Sequence, residues 1–214
     1  MSDVVLLGAP GSGKGTQASR IASERRWVHL STGDLFRMHL VNDTALGQLA
    51  KSYMDNGELV PDEITVDMVR DRLERVPTDA RVIYDGFPRT VRQAEALDEL
   101  LTDLGRSFAR AVLLDVPRDE LVRRMTKRAT CMNCQTVYNL ATNPPKREGV
   151  CDRCGGQVLQ RSDESPQIIE RRLDVYEKQT KPLIELYAKR GGLRRIDGTG
   201  DPLEVAKRMS EAFA

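Results

Sequence analysis

Short aliphatic and β-branched runs alternate along this chain with longer stretches in which apolar residues recur every third or fourth position. The runs lie at 4–7, 27–30, 81–84, 109–115 and 193–196, and their length and flanking turn residues predict five strands. The periodic stretches predict helices. One spans 14–25, with Ala18, Ile21 and Ala22 on its apolar side and Gln17, Arg20 and Glu24 on its polar side. Another opens at Ser31-Thr32-Gly33-Asp34, which has the spacing of a capping box. A third covers 45–56 and is closed by Asn56-Gly57. A fourth starts at Val60-Pro61-Asp62-Glu63, with proline at the first helical position and two acids suited to the dipole, and runs to about residue 75. Further helices are predicted over 91–104, 119–128 and 202–214. Ser165-Pro166 caps a long one that bends near Pro182 and stops at Gly191-Gly192.

Strands alternating with helices predict an α/β fold in three layers, a five-stranded parallel sheet covered on both faces and joined by right-handed crossovers. Three helices between the second and third strands exceed what a crossover requires, so the stretch 31–60 is expected to stand off the sheet as a lobe. Such sheets bind ligands at the carboxyl ends of their strands. That edge collects 8–16, 85–89, Asp115 and 197–200.

Composition adds limits. A length of 214 residues supports one substantial core with small excursions. Lys plus Arg number 33 and Asp plus Glu 32, so the net charge of +1 supplies no global field for nucleic acid or an anionic membrane. No apolar run approaches the roughly 18 residues of a membrane span and no signal-peptide pattern opens the chain, which makes the cytoplasm the expected setting. In a reducing compartment four cysteines point to metal or catalysis rather than to disulfides.

Candidate chemistry begins at Gly8-Ala9-Pro10-Gly11-Ser12-Gly13-Lys14-Gly15-Thr16, between the first strand and the first helix. A glycine turn opening a helix cradles phosphate with backbone N–H groups and the helix dipole. Lys14 has no purpose in a turn that serves geometry alone. The spacing is that of a Walker A loop, except that Gly15 stands where a Ser or Thr hydroxyl ligates Mg2+ and Thr16 lies one place on. The metal is therefore expected to lean on other groups. Asp85, ending the third strand, is placed like the acid that holds Mg2+ or its waters, and the turn Gly86-Phe87-Pro88 presents Arg89. A plain turn with exposed charges is the other reading of that segment. Arg171 and Arg172 sit early in a helix, against its dipole, where a buried anion or simple solvation would each account for them. His29 and His39 lack metal-ligand spacing. Cys131-Met132-Asn133-Cys134 and Cys151-Asp152-Arg153-Cys154, sixteen residues apart, have the pattern of a tetrahedral four-cysteine zinc site, with two disulfides as the alternative.

Gly8 to Gln17, Ser31 to Asp34, Asp85 to Thr90, Arg124 with Arg128, Asn143-Pro144-Pro145, Arg161 with Asp163, and Arg172 together resemble the adenylate kinases, from residue 4 to the C-terminus. The cysteine pairs resemble the metal-bearing LID of that family's long form. The resemblance implies a P-loop NTPase-type CORE over 1–30, 61–128 and 161–214, an AMP-binding lobe over 31–60, a zinc-bearing LID over 129–160, and the reaction MgATP + AMP ⇌ 2 ADP. By motif position it puts Lys14 and the backbone of Gly11, Ser12, Gly13, Gly15 and Thr16 on the ATP phosphates. Arg128, Val137, Tyr138 and, through main chain alone, Gly200 also fall on the ATP side. Thr32, Arg37, Glu58, Leu59, Val60, Gly86, Phe87, Pro88, Arg89 and Gln93 fall to AMP, with Gln93 at the adenine edge. Arg161 and Arg172 bridge to the phosphates in transfer, and Asp85 holds Mg2+ through water. Zn2+ on Cys131, Cys134, Cys151 and Cys154 is structural. The resemblance further implies a monomer acting on ATP, AMP and ADP; neither nucleic acid nor membrane is an expected partner. Two competing readings are a kinase for UMP, CMP or another monophosphate, and a zinc-ribbon nucleic-acid module on an inactive nucleotide domain. Thr32 and Gln93 favour AMP, and the neutral charge without interleaved aromatics disfavours the ribbon.

Overall fold

The computed structural model describes residues 2–213. β1 (Ser2–Leu7) leads through the glycine turn into α1 (Lys14–Arg25), and β2 (Val28–Ser31) follows. α2 (Thr32–Val41), α3 (Ala45–Met54) and α4 (Asp62–Glu74) come next, then β3 (Val82–Asp85) and α5 (Val91–Asp103). β4 (Ser107–Asp115) and α6 (Arg118–Thr126) precede three short strands, β5 (Arg128–Cys131), β6 (Val137–Asn139) and β7 (Val158–Leu159). α7 (Pro166–Val175), α8 (Pro182–Lys189), β8 (Leu193–Asp197) and α9 (Pro202–Ala212) complete the chain. The expected continuation of the last helix to Ala214 lies outside the described residues.

The main sheet has the order β2-β3-β1-β4-β8, parallel throughout. Alternate residues of its inner strands point to opposite faces, as the strand period of two requires. Val5, Leu7, Tyr84 and Leu113 pack under α4, α5 and α8 with Leu73, Leu97 and Tyr187. Val4, Leu6, Ile83 and Val112 pack under α1 and α9 with Ile21, Val205 and Met209. Two cores on two faces make the three layers. After β3 the chain crosses to the other side of β1, so the glycine turn after β1 opens at the point where strand order reverses, where open α/β sheets leave a crevice.

Several boundaries differ from expectation, each for a local reason. β2, β3 and β8 each end one residue later than expected, at Ser31, Asp85 and Asp197, because the parallel pairing Ser31↔Asp85 and Asp115↔Asp197 carries the ladder to the polar rim. Pro61 is the N-cap of α4 rather than its first helical residue. α3 stops at Met54, and the chain turns at Gly57, whose φ is +70°. Arg128 is not in the last turn of α6 but begins β5. The bend near Pro182 is a π turn over Tyr176–Thr180, in which Lys181 N–H donates to Tyr176 O at 2.9 Å, so Pro182 opens a new helix where its missing N–H is harmless. The segment between α6 and α7 holds a small antiparallel sheet, β6-β5-β7, with Ala129, Tyr138 and Val158 buried around Cys131 and Cys151.

Candidate active site and cysteine centre

α1 has no side-chain cap: its N-cap is Gly13 at φ +95°, a backbone shape that side chains resist. The leading N–H groups of the helix are therefore left for an outside acceptor. Lys14 Nζ folds back over the turn, donating to Gly8 O at 2.7 Å, Ala9 O at 2.9 Å and Ser12 Oγ at 3.3 Å. Burial pushes its pKa down to about 8; Asp85 works against that shift, while Arg89, Arg128 and Arg172 add to it.

Asp85 ends β3 beside this lysine. Its Oδ2 lies 3.3 Å from His29 Nε2, brought alongside by the β2–β3 pairing. Burial alone would raise the Asp85 pKa, but the His29 bond and the charges of Lys14 and Arg89 hold it below the usual carboxylate range. A Cβ on Gly15 would stand 3.2 Å from the same oxygen. Glycine there, in place of a Walker A hydroxyl, leaves the acid its room. His29 had no sequence signal, since its partner is 56 residues away.

Three arginines converge on two buried acids in the 3-10 turn Ser162–Glu164. Arg161 grips Asp163 with Nε at 2.8 Å and Nη2 at 2.5 Å, and Arg172 Nη1 donates to Asp163 Oδ2 at 2.8 Å. Arg128 pairs with Glu164, whose Oε2 has no hydrogen-bond partner among the described residues. Burial would raise the Asp163 pKa, yet Arg172 and Arg161 hold it far below the ordinary range. Arg172 itself is pushed down to about 9 by burial, with Asp163 opposing and Arg128 and Arg161 adding to the effect. Arg89, whose Nε donates to Gly86 O at 2.8 Å, has its pKa lowered by burial and by Arg161, while Asp85 resists. Burial first, and mutual repulsion second, thus disfavour the charge of Lys14, Arg89 and Arg172, while Asp163 and Glu164 support that of Arg161; an entering polyanion relieves the first three.

Around this centre the other predicted residues fall on two sides. Thr32 Oγ1 donates to Gly86 O at 2.8 Å, and Arg37 pairs with Asp34. Gln93 is buried at 1% exposure: its Oε1 accepts from Arg89 N–H at 2.8 Å and its Nε2 donates to Asp62 at 2.6 Å. Thr90 Oγ1 caps α5 by accepting from Gln93 N–H at 3.1 Å. Glu58 meets Arg171 at 3.0 Å, and Val60 is buried with Phe36 and Met68 in the helical lobe. Tyr138 lies under the cysteines, its hydroxyl donating to Cys151 Sγ at 3.4 Å, while Val137 beside it is exposed. Gly200, at φ +91°, is exposed next to Glu204. Arg124 carried no predicted role, yet its guanidinium joins the two loops of the crevice, with Nη2 on Gly198 O at 3.0 Å and Nη1 on Ser12 O at 3.4 Å.

The four cysteine Sγ atoms lie within 4.8 Å of one another, with Cys131–Cys154 at 3.5 Å and Cys134–Cys151 at 3.6 Å. All four are free, which overturns the disulfide alternative. A tetrahedron of thiolates on bonds of about 2.3 Å sets its sulfurs about 3.8 Å apart, whereas a disulfide needs about 2.05 Å. Cys134 N–H reaches Cys131 Sγ at 3.5 Å, and the Tyr138 hydroxyl pushes the Cys151 thiol down to about 6. The donor set fits a soft or borderline divalent metal.

A family model described as adenylate kinase matches residues 6–192. An adenylate kinase of Carboxydothermus hydrogenoformans is 49% identical over 210 residues, 98% of each chain. One from Agathobacter rectalis is 47% identical over 99% of this chain and 95% of its own. One from Clostridium perfringens is 50% identical over 92% of this chain and 91% of its own.

Proposed function

This chain belongs to the adenylate kinase family, and on that premise we propose how its side chains divide the reversible transfer of a phosphoryl group from MgATP to AMP, giving two ADP. The CORE takes 1–30, 61–128 and 161–214, the AMP lobe 31–60 and the LID 129–160. Lys14 and the N–H groups of Gly11 to Thr16 hold the ATP phosphates, with Arg128, Val137, Tyr138 and Gly200 on the same nucleotide. Thr32, Arg37, Glu58 to Val60, Gly86 to Arg89 and Gln93 hold AMP. The remaining N–H of the Gln93 amide is left for the adenine edge, because its carbonyl and one N–H are already committed. Arg161 and Arg172 bridge to the phosphates in transfer.

In the transfer, an oxygen of the AMP phosphate attacks the γ-phosphorus as the bond to the β-phosphate oxygen breaks. That oxygen is already anionic, so no side chain has to act as a strong base, and the work is alignment and neutralisation of charge. Mg2+ arriving with ATP would supply positive charge against the phosphates. Asp85, kept ionised by His29 and Lys14, is the residue that would hold it through water. Closure of lobe and LID excludes water that would otherwise take the phosphoryl group. Zn2+ on Cys131, Cys134, Cys151 and Cys154 is structural, since four thiolates leave no open position. Among the described residues no helix is long and apolar enough to cross a membrane. By its likeness to the family we assign the protein to the cytoplasm as a monomer.

The observation that carries this reading is the convergence of Lys14, Arg89, Arg128, Arg161 and Arg172 on one crevice. ADP formation from ATP with AMP, UMP, CMP and GMP tests it. AMP is expected to be the preferred acceptor, and Lys14→Ala to lower kcat by about 10²–10³-fold. Turnover that is equal with UMP, or untouched in the variant, would count against the assignment.

A further inference from the structure

Three described non-glycine residues have φ in the left-handed region, Arg26, Asp43 and Gln135. Arg26 is the C-cap of α1, where that shape is common, and Asp43 is a residue type that tolerates it. Gln135 has neither excuse. It closes the first cysteine turn, its N–H donating to Cys131 O at 3.0 Å, with φ +59°. Glycine would hold the same turn without strain, so the side chain invites a reason for its presence.

The side chain reaches out of the cysteine sheet to the helical lobe. Gln135 Oε1 accepts from Arg37 Nε at 2.9 Å, while its Nε2 donates back to Met132 O at 3.3 Å, which fixes the orientation of the amide. Arg37 uses a second N–H on Asp34 and feels the charges of Arg161 and Asp163. Gln135 also lines a cleft of about 190 Å³ between α2 and the cysteine turn, with Met38, Val41, Met132 and Asn133. Arg37 and Gln135 belong to excursions from different ends of the sheet, so their bond exists only when the two excursions meet.

We propose that Gln135 is a positioning residue that couples the two substrates, holding Arg37 in its AMP-binding orientation when the cysteine sheet has closed over ATP. The proposal rests on the division into AMP lobe and LID given above. A contact made only in the closed state favours that state, and any ligand that closes one excursion then strengthens the binding of the other. By linkage the effect is equal in both directions. The turn matters because it aims the amide: the strained backbone at Gln135 is held by the cysteine turn, so the metal site and the AMP arginine are connected through one residue.

The test uses the full-length, zinc-loaded enzyme. Calorimetric titration gives the affinity for AMP with and without a saturating β,γ-methylene analogue of ATP, and for the analogue with and without AMP. The wild type is expected to show mutual tightening. Gln135→Ala and Gln135→Gly should lose roughly fivefold to tenfold of that factor, equally in both directions. Gln135→Glu, which keeps an acceptor for Arg37, should retain it. A purely structural role predicts the opposite for Gln135→Gly, which relieves the backbone and should melt at or above the wild-type temperature. Undiminished coupling in the glycine variant, or coupling lost in the glutamate variant, overturns the proposal. ADP formation by the same preparations separates the two layers: an inactive wild type sinks the assignment of function, while normal turnover with unchanged coupling sinks only this inference.

Discussion

Lys14 is the side chain at which stability and chemistry pull apart. Burial brings its pKa to about 8 against roughly 10.4 in an unfolded chain. Between those values the unfolded chain holds a proton that the native one gives up, so this group makes stability rise with pH from about 8 to 10.4. Below pH 8 its charge costs the fold. Lys14→Met is expected to stabilise the ligand-free enzyme at pH 7 by about 1–2 kcal/mol, and to flatten the rise above pH 8. Urea titrations at pH 7, 8, 9 and 10 check both, and a rise that persists in the variant would assign it to another group. Lys14 itself is readable in the sequence because its motif is contiguous. Glu164 and His29 are not, for their partners Arg128 and Asp85 lie 36 and 56 positions away and no local spacing marks them.

Among elements, the long strands and helices follow from periodicity, and their ends shift where pairing across the sheet overrides local preference. β5, β6 and β7 escape a periodic reading because two to four residues are too few to display a repeat. They form a sheet around the cysteines, which share a small core with Tyr138 and Val158. On the proposed zinc assignment, such an excursion buries too little to stand without a metal. Stripping zinc with a chelator should lower the melting temperature by several degrees and expose the amides of β5 to β7 to exchange, yet leave ADP formation at 10 °C mostly intact. Metal content, calorimetry and a cold assay on one sample decide it. Unchanged melting after complete metal loss would remove zinc from the structural account. The cysteine spacing was enough to foresee that four thiols gather at one point; it is silent on Gln135, which closes the turn by donating to Cys131 O.

For the molecule as a unit, the two cores are fastened at the amino end of the sheet, opposite the crevice. Arg106 donates to both oxygens of Asp3 at 2.8 Å and to Ala80 O at 2.6 Å, while Tyr84 OH and Val82 N–H complete the buried acid at 2.9 and 3.0 Å. Arg106→Leu leaves Asp3 charged and unpaired in the interior, and should cost about 3–5 kcal/mol of global stability. The sole tryptophan, Trp27, packs on Phe213 at 5.6 Å and under Arg81 at 4.6 Å, and its fluorescence follows this unfolding. A loss under 1 kcal/mol would show the network to be replaceable.

β5 and β7 are neighbours, paired at Thr130↔Leu159 and Cys131↔Val158, although 27 positions separate Cys131 from Val158 along the chain. The path into the small antiparallel sheet and the path out of it therefore run side by side. Such a stem behaves as a cassette: the loop beyond it can be lengthened, trimmed or exchanged for a metal-free hairpin while the parent body keeps its connectivity. Grafting is then an exercise in matching two adjacent strand stubs.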